Sequence, residues 1–271
     1  MAATAFPVSL ATPRRSLSRT FALYAKEAKY ELINKTRIPI YAISTVAFPL
    51  MFYVLFGIVL GRNEPGSSER ATYALATMGC FGVMAVALFG FGVSLAMERG
   101  QGWLQVKRAS PMPVSAYFVG KLFSAVVFST VIMLMLLTVG ILFGGVRLPF
   151  GTAARLVGIL VAGSIPFSAM GLAIGYFAKP NSAPAVVNLI YLPMSFCSGL
   201  WIPLFLLPHG LQVLATFLPP FHLAQLALNT VGLGTNPTPA WGHIEALLAF
   251  TLVSLGVAAW GYRRDEGKTY G

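Results

Sequence analysis

Long apolar runs separated by short polar segments dominate this chain. Six of them, at residues 40–60, 72–97, 117–143, 156–177, 184–200 and 241–262, carry almost no charge. A helix needs roughly 20 apolar residues to cross about 30 Å of hydrocarbon, so the pattern predicts six transmembrane helices in an all-α, polytopic membrane protein. Between the fifth and sixth runs lie two shorter apolar stretches, 211–218 and 221–233, separated by Pro219 and Pro220. Each is too short to cross, and the prolines interrupt any helix joining them, so extracellular re-entrant or interfacial helices are expected there. Ahead of the first run, Leu17, Phe21, Tyr24, Ala28 and Leu32 recur at three- and four-residue steps, with Arg19, Lys26 and Lys29 on other faces. That spacing predicts an amphipathic helix. The cytoplasmic membrane interface suits it, because rings enter the headgroup boundary while ammonium groups meet anionic lipid.

Charge then orients the spans. With an even number of crossings, one side receives Arg14, Arg15, Arg19, Lys26, Lys29, Lys35, Arg37, Arg99, Lys107, Arg108, Lys121, Lys179, Arg263, Arg264 and Lys268. The other receives Arg62, Arg70, Arg147 and Arg155. Cytoplasmic segments retain positive charge, so this asymmetry predicts both termini in the cytoplasm. No Lys or Arg occurs from Pro180 to Tyr262, as expected if the long 201–240 connection lies outside. The expected organisation is a cytoplasmic N-terminal segment over 1–37, a transmembrane domain over 38–262 and a cytoplasmic tail over 263–271.

Composition excludes a water-soluble globule, since 10% of residues are charged where such a domain carries about a quarter. The net charge of +11 sits beside apolar runs rather than on one face, which argues for membrane orientation and against a nucleic-acid partner. Cys80 and Cys197 fall inside apolar runs without CxxC spacing and read as small buried hydrophobes. The first nineteen residues carry Ser and Arg and no acid, a composition that also fits an organellar targeting segment, but a bacterial inner membrane is the expected location.

The most informative polar segment joins the second and third spans. It runs Glu98-Arg99-Gly100, then Trp103, Leu104, Lys107 and Arg108, then Pro111-Met112-Pro113-Val114-Ser115, with Gly120-Lys121-Leu122 opening the next span. Charged ends, two glycines and a proline stop describe a short helix between spans, able to dock on a soluble partner. These residues resemble the coupling helix of type-2 ABC exporter permeases. The run from Ser198 to Gln212, followed by Leu218-Pro219-Pro220, is similar to that family's extracellular re-entrant element. The resemblance covers nearly the whole chain. It implies a permease subunit that pairs with a second copy or a close sibling and docks two copies of a separate ABC ATPase over 98–113. It further implies export of a hydrophobic or amphiphilic compound such as a drug, lipid or glycolipid. The chain departs from the family in having Gln101, Gly102 and Gln105 where Thr or Ser and then an acid are common, which leaves this segment basic.

The resemblance also implies that spans one, two and five line the cargo path, with Phe48, Phe52, Tyr53, Phe81, Phe89, Asn188, Tyr191 and Met194 as the contacting residues. No cofactor is expected in this chain; ATP and magnesium belong to the ATPase partner. Gly267-Lys268-Thr269 imitates the end of a P-loop, but Tyr262 stands where the first glycine belongs. Glu245 is the one acid inside an expected span, on its outer first turn, and His222 and His243 lie near the same interface without metal-ligand spacing. Gly171 and Gly175 form a GxxxG pair suited to close helix packing, within one subunit or between two. Two other readings compete: a secondary transporter or channel, for which only Glu245 offers an intramembrane acid, and an intramembrane enzyme, for which Gly92-Val93-Ser94-Leu95-Ala96 approximates a nucleophile motif.

Overall fold

The computed structural model describes residues 17–37, 39–60, 65–109, 112–234 and 236–266. Among them every regular element is helical. The targeting-like first residues and the imitation P-loop at 267–269 lie outside the described residues. Helix α1, Leu17–Thr36, precedes the apolar body. Helix α2, Pro39–Phe52, continues into a π-helical stretch, Tyr53–Val59. Helix α3 spans Ser67–Gly100 and contains a second π-helical stretch, Phe89–Val93. After the short α4, Trp103–Ala109, comes the longest element, α5, Val114–Phe143. Helices α6, Phe150–Ala162, and α7, Ser164–Phe177, form one apolar rod broken at Gly163. They are followed by α8, Ala183–Cys197, α9, His209–Ala215, α10, Pro219–Thr230, and α11, Ala240–Glu266.

Four of these are long and apolar enough to cross a membrane: α3, α5, the α6–α7 rod and α11. The α9–α10 pair would make a fifth if taken as one bent span. Helices α2 and α8 stand where the first and fifth spans are expected but are shorter. The apolar part of α2 covers Thr45–Val59, and α8 has 15 residues, a rise of about 22 Å. Its end has a local cause. Gly199 adopts φ +76°, and the Leu200 amide reaches back to the Ser195 carbonyl, closing the last turn. The α9–α10 pair bends by 87° at the prolines, because Leu218 is extended and Pro219 and Pro220 open the new helix.

Helix α3 is the axis of the molecule: 78% of its apolar window is buried, against 22% for α11. A helix apolar on every side belongs in the interior, and α3 has small residues on all faces to receive its neighbours. At Gly82, an added Cβ would lie 2.9 Å from Ile132 of α5 and 3.0 Å from Pro49 of α2. Gly171 and Gly175 bring α7 against the π-helical stretch of α3. A Cβ on Gly171 would stand 3.0 Å from the Ala87 carbonyl oxygen, and one on Gly175 3.1 Å from that of Gly92. The GxxxG pair therefore packs within the chain. Helix α5, by contrast, leaves most of its apolar window uncovered.

Candidate functional site

Where α3 passes into α4, a connected set of buried and part-buried polar groups joins three helices. Lys121 of α5 is fully buried. Its ammonium donates to Ser94 Oγ at 2.5 Å, Glu98 Oε1 at 2.7 Å and Glu31 Oε1 at 3.1 Å. A lysine has three N–H donors, and here each has an acceptor. Ser94 in turn donates to Glu98 Oε1 at 2.8 Å, and the Tyr117 hydroxyl donates to Glu98 Oε2 at 2.8 Å. On α1, Lys35 lies 3.5 Å from Glu31 Oε1. Two carboxylates and two ammonium groups thus form a neutral cluster, the arrangement that lets charges remain away from water. Burial and the nearby Lys121 charge push the Lys35 ammonium down to about 8.

A second ring of contacts surrounds this hub. Arg99 donates from Nη1 to the Gly175 carbonyl at 2.7 Å and pairs through Nη2 with Asp265 of α11 at 3.2 Å. Lys107 of α4 pairs with Glu27 of α1 at 2.9 Å and sits 4.2 Å from the centre of the Tyr117 ring. Gly100 packs against Pro180, leaving no room for a side chain. Glu98 and Arg99, expected to face a partner, are thus engaged inside the chain, as are Lys107 and the buried Leu104. What α4 presents outward is Trp103, 55% exposed, and Val106, 61% exposed. The Arg108 side chain lies outside the described residues. The face that α1 turns inward includes charged positions, Glu27, Glu31 and Lys35, while Phe21 of the expected apolar stripe is exposed.

The second feature is an aromatic cleft of about 600 Å³ among α2, α3, α8 and the turn after α8. Six of the eight expected path residues line it: Phe48, Phe52, Phe81, Phe89, Asn188 and Tyr191. Tyr53 and Met194 do not. Tyr53 is fully buried toward Gly57 and Gly140, and Met194 belongs to the packed core. Trp201 is the residue that the pattern of apolar runs placed elsewhere, at the start of the outer connection. Its ring lies 4.4 Å from Phe52, 5.0 Å from Phe81 and 4.9 Å from Phe196, nearly parallel to the last. Its indole N–H donates to Ser195 Oγ at 2.9 Å, which fixes the ring as one wall. The Tyr191 hydroxyl donates to the Phe81 carbonyl at 3.1 Å, so its polar end faces the wall and its ring the cleft. Among the described residues no charged side chain lines the cleft.

Ser94 does meet a lysine, but as an acceptor, and its own proton goes to a Glu98 carboxylate already held by Lys121 and Tyr117, so the hydroxyl is a member of the ion cluster rather than an activated nucleophile. Glu245 is exposed on α11. His222 and His243 come together, their Nδ1 atoms 2.9 Å apart. Among the described residues no group of three or more metal-ligating side chains occurs. Cys80 and Cys197 are free thiols, the first buried and the second half-buried. Nothing in the sequence pattern announces that Glu31, Ser94 and Tyr117 gather around Lys121 and Glu98, since charges on α1 read as a solvated face and the other two lie on separate apolar helices.

Residues 27–231 match the family described as ABC-2 type transporter. The chain is also similar to YvfS of Bacillus subtilis (strain 168), which is named as a transport permease. The two are 27% identical over 246 residues, covering 89% of this chain and 97% of that one.

Proposed function

The chain belongs to the ABC-2 type transporter family as a multi-pass transport permease, and on that premise we propose that it exports a hydrophobic or amphiphilic compound using ATP hydrolysed by a separate ATPase subunit. Six crossings are proposed, with α2 and α8 as short spans, the α9–α10 pair as an outer re-entrant element within 201–240, α1 lying in the cytoplasmic interface and both termini cytoplasmic. The Lys and Arg asymmetry supports that orientation in a bacterial inner membrane. Two permease copies would bind two ATPase subunits, with ATP and magnesium held by the ATPase.

The observation that carries the reading is the division of labour around α4. Its base is tied by Glu98, Arg99 and Lys107 to α1, α5, α7 and α11, while Trp103 and Val106 stand clear. An exposed aromatic on a firmly seated short helix is what a docking knob requires. The residues expected over 98–113 then act in two ways: Glu98, Arg99, Gly100, Leu104 and Lys107 seat the helix, and Trp103 with its neighbours grips the ATPase. Arg108 is assigned to the gripping set for its charge. Closure of the ATPase pair on ATP would push α4, and the hub would pass that displacement to α1, α3 and α5 together. The cleft supplies the cargo reading. Its volume falls in the range of roughly 300–1,000 Å³ that holds a small molecule, and aromatic walls with the Asn188 amide suit an uncharged apolar group bearing few polar handles.

Gentle detergent purification of the tagged chain from its native cell, with mass spectrometry of what accompanies it, tests the proposal. A stoichiometric soluble ATPase is the expected companion. Its repeated absence from a well-behaved preparation, with transport that survives ATP depletion and fails with a protonophore, would transfer the function to a gradient-driven mechanism.

A further inference from the structure

At the end of the molecule opposite the hub, two helix starts meet through a pair of histidines. His222 is the fourth residue of α10 and His243 the fourth of α11. Their Nδ1 atoms are 2.9 Å apart, and His222 Nε2 lies 3.0 Å from the Thr216 carbonyl oxygen. His243 is fully buried, and its Nε2 has no hydrogen-bond partner among the described residues. Phe221 packs edge-on to both rings.

These contacts fix where the protons are. A carbonyl only accepts, so His222 Nε2 carries a proton and donates to Thr216. In a neutral His222 the Nδ1 is then bare and accepts, so His243 Nδ1 carries the proton that joins the two rings. The contact holds one proton, with neither zero nor two compatible with a bond at that distance. Surroundings oppose further protonation. Both rings sit in the first turn of a helix, where the backbone N–H groups present partial positive charge. The charged or titratable groups on the elements packed against the pair, away from the hub, are Glu69, Arg70, Tyr73 and Cys80 on α3, Arg155 on α6, His209 on α9 and Glu245 on α11. None of them forms an ion pair with either histidine among the described residues, and Glu245 is exposed.

We propose that His222 and His243 form a proton-operated latch that holds α10 against the start of α11 and releases it when the face they occupy is acidified. A first added proton places an imidazolium between two helix N-termini without a carboxylate to meet it. A second sets N–H against N–H and breaks the contact. Thr216 belongs to the turn after α9, so the bent α9–α10 arm is the part freed. That this face is the outer one rests on the orientation proposed above; the latch itself does not.

The test uses the purified full chain in lipid nanodiscs, with Cys197→Ser and spin labels at Val213→Cys on α9 and Leu248→Cys on α11, both exposed positions. One narrow distance is expected at about pH 8, with a longer, broader population growing at least about threefold by about pH 5, the range in which histidine takes up its proton. In the double variant His222→Asn, His243→Asn, an amide pair that does not titrate, the distribution is expected to stay constant. A wild-type distribution that does not change with pH, or an equal response in the double variant, overturns the latch. Nitrogen NMR of histidine-labelled wild type needs no substitution, and with three histidines in the chain its signals are few. A ring at this contact already charged at about pH 8 likewise overturns it. Labelling of Val213→Cys in intact cells by an impermeant maleimide reports sidedness separately, so a wrong orientation and a failed latch give different results.

Discussion

At the scale of single residues, Lys121 decides whether the base of α4 keeps its shape. Its removal leaves the buried Glu31 and the part-buried Glu98 with only Lys35 as counter-charge nearby, and an uncompensated buried charge costs about 3–5 kcal/mol, less where water reaches it. Lys121→Met is therefore expected to lower the thermal midpoint in detergent severely, and adding Glu98→Gln to recover part of the loss by removing the orphaned carboxylate. Strictly additive losses in that double-mutant cycle would show that the two side chains are not coupled. Lys35 supplies a pH signature. Its folded-state value of about 8 lies below the ordinary lysine value of about 10.4, so between these the unfolded chain binds more protons and stability rises with pH. Below about pH 8 the charge penalty is fully present. Relative to Lys35→Met, wild-type thermal stability is expected to climb from about pH 8 to pH 10; parallel curves for the two proteins would refute this assignment.

At the scale of elements, close approach of α7 to α3 depends on glycines with no space above them. Gly171→Val would drive a branched side chain into the Ala87 carbonyl and the Phe91 Cβ, each 3.0 Å from where its Cβ begins, at a cost of about 1–3 kcal/mol of overpacking. Gly158→Val on α6 meets nothing within 4 Å and is expected to be neutral within about 0.5 kcal/mol. Thermal unfolding of the two variants side by side checks the contrast. This pair also marks how far sequence could be read. Apolar runs give helix positions well, since the length of hydrocarbon sets them, and the 87° break at Pro219–Pro220 follows from proline geometry. The GxxxG spacing marks Gly171 and Gly175 for close packing but does not say which helix they meet, because that depends on a neighbour distant in the chain. The same limit hid the hub. Glu31 and Lys35 look like the wet side of an amphipathic helix until Lys121, some ninety residues later, is brought opposite. Six of the residues expected on spans one, two and five line the cleft, yet Trp201 escaped because it falls past the end of the fifth apolar run, at the start of the outer connection.

At the scale of the whole molecule, the proposed function assigns docking and cargo handling to different kinds of surface, which would separate their failures. Trp103 and Val106 are exposed and contribute little to the chain's own core. Trp103→Ala with Val106→Asp is expected to leave thermal stability unchanged and reduce capture of the ATPase at least about tenfold, since a central aromatic anchor at an interface commonly carries 2 kcal/mol or more. Phe48 and Asn188 are also exposed, but they line the cleft. Phe48→Ala with Asn188→Leu is expected to leave capture intact while ATP hydrolysis by the assembled complex no longer responds to cargo, because the energy source would still be docked with nothing to grip. If both double variants lost the ATPase equally, the cleft would be part of the docking surface and α4 would not be a separate coupling element. If neither did, the grip would lie elsewhere on the hub end, with the neighbouring groove of Gln101, Lys179 and Asn181 the next surface to alter.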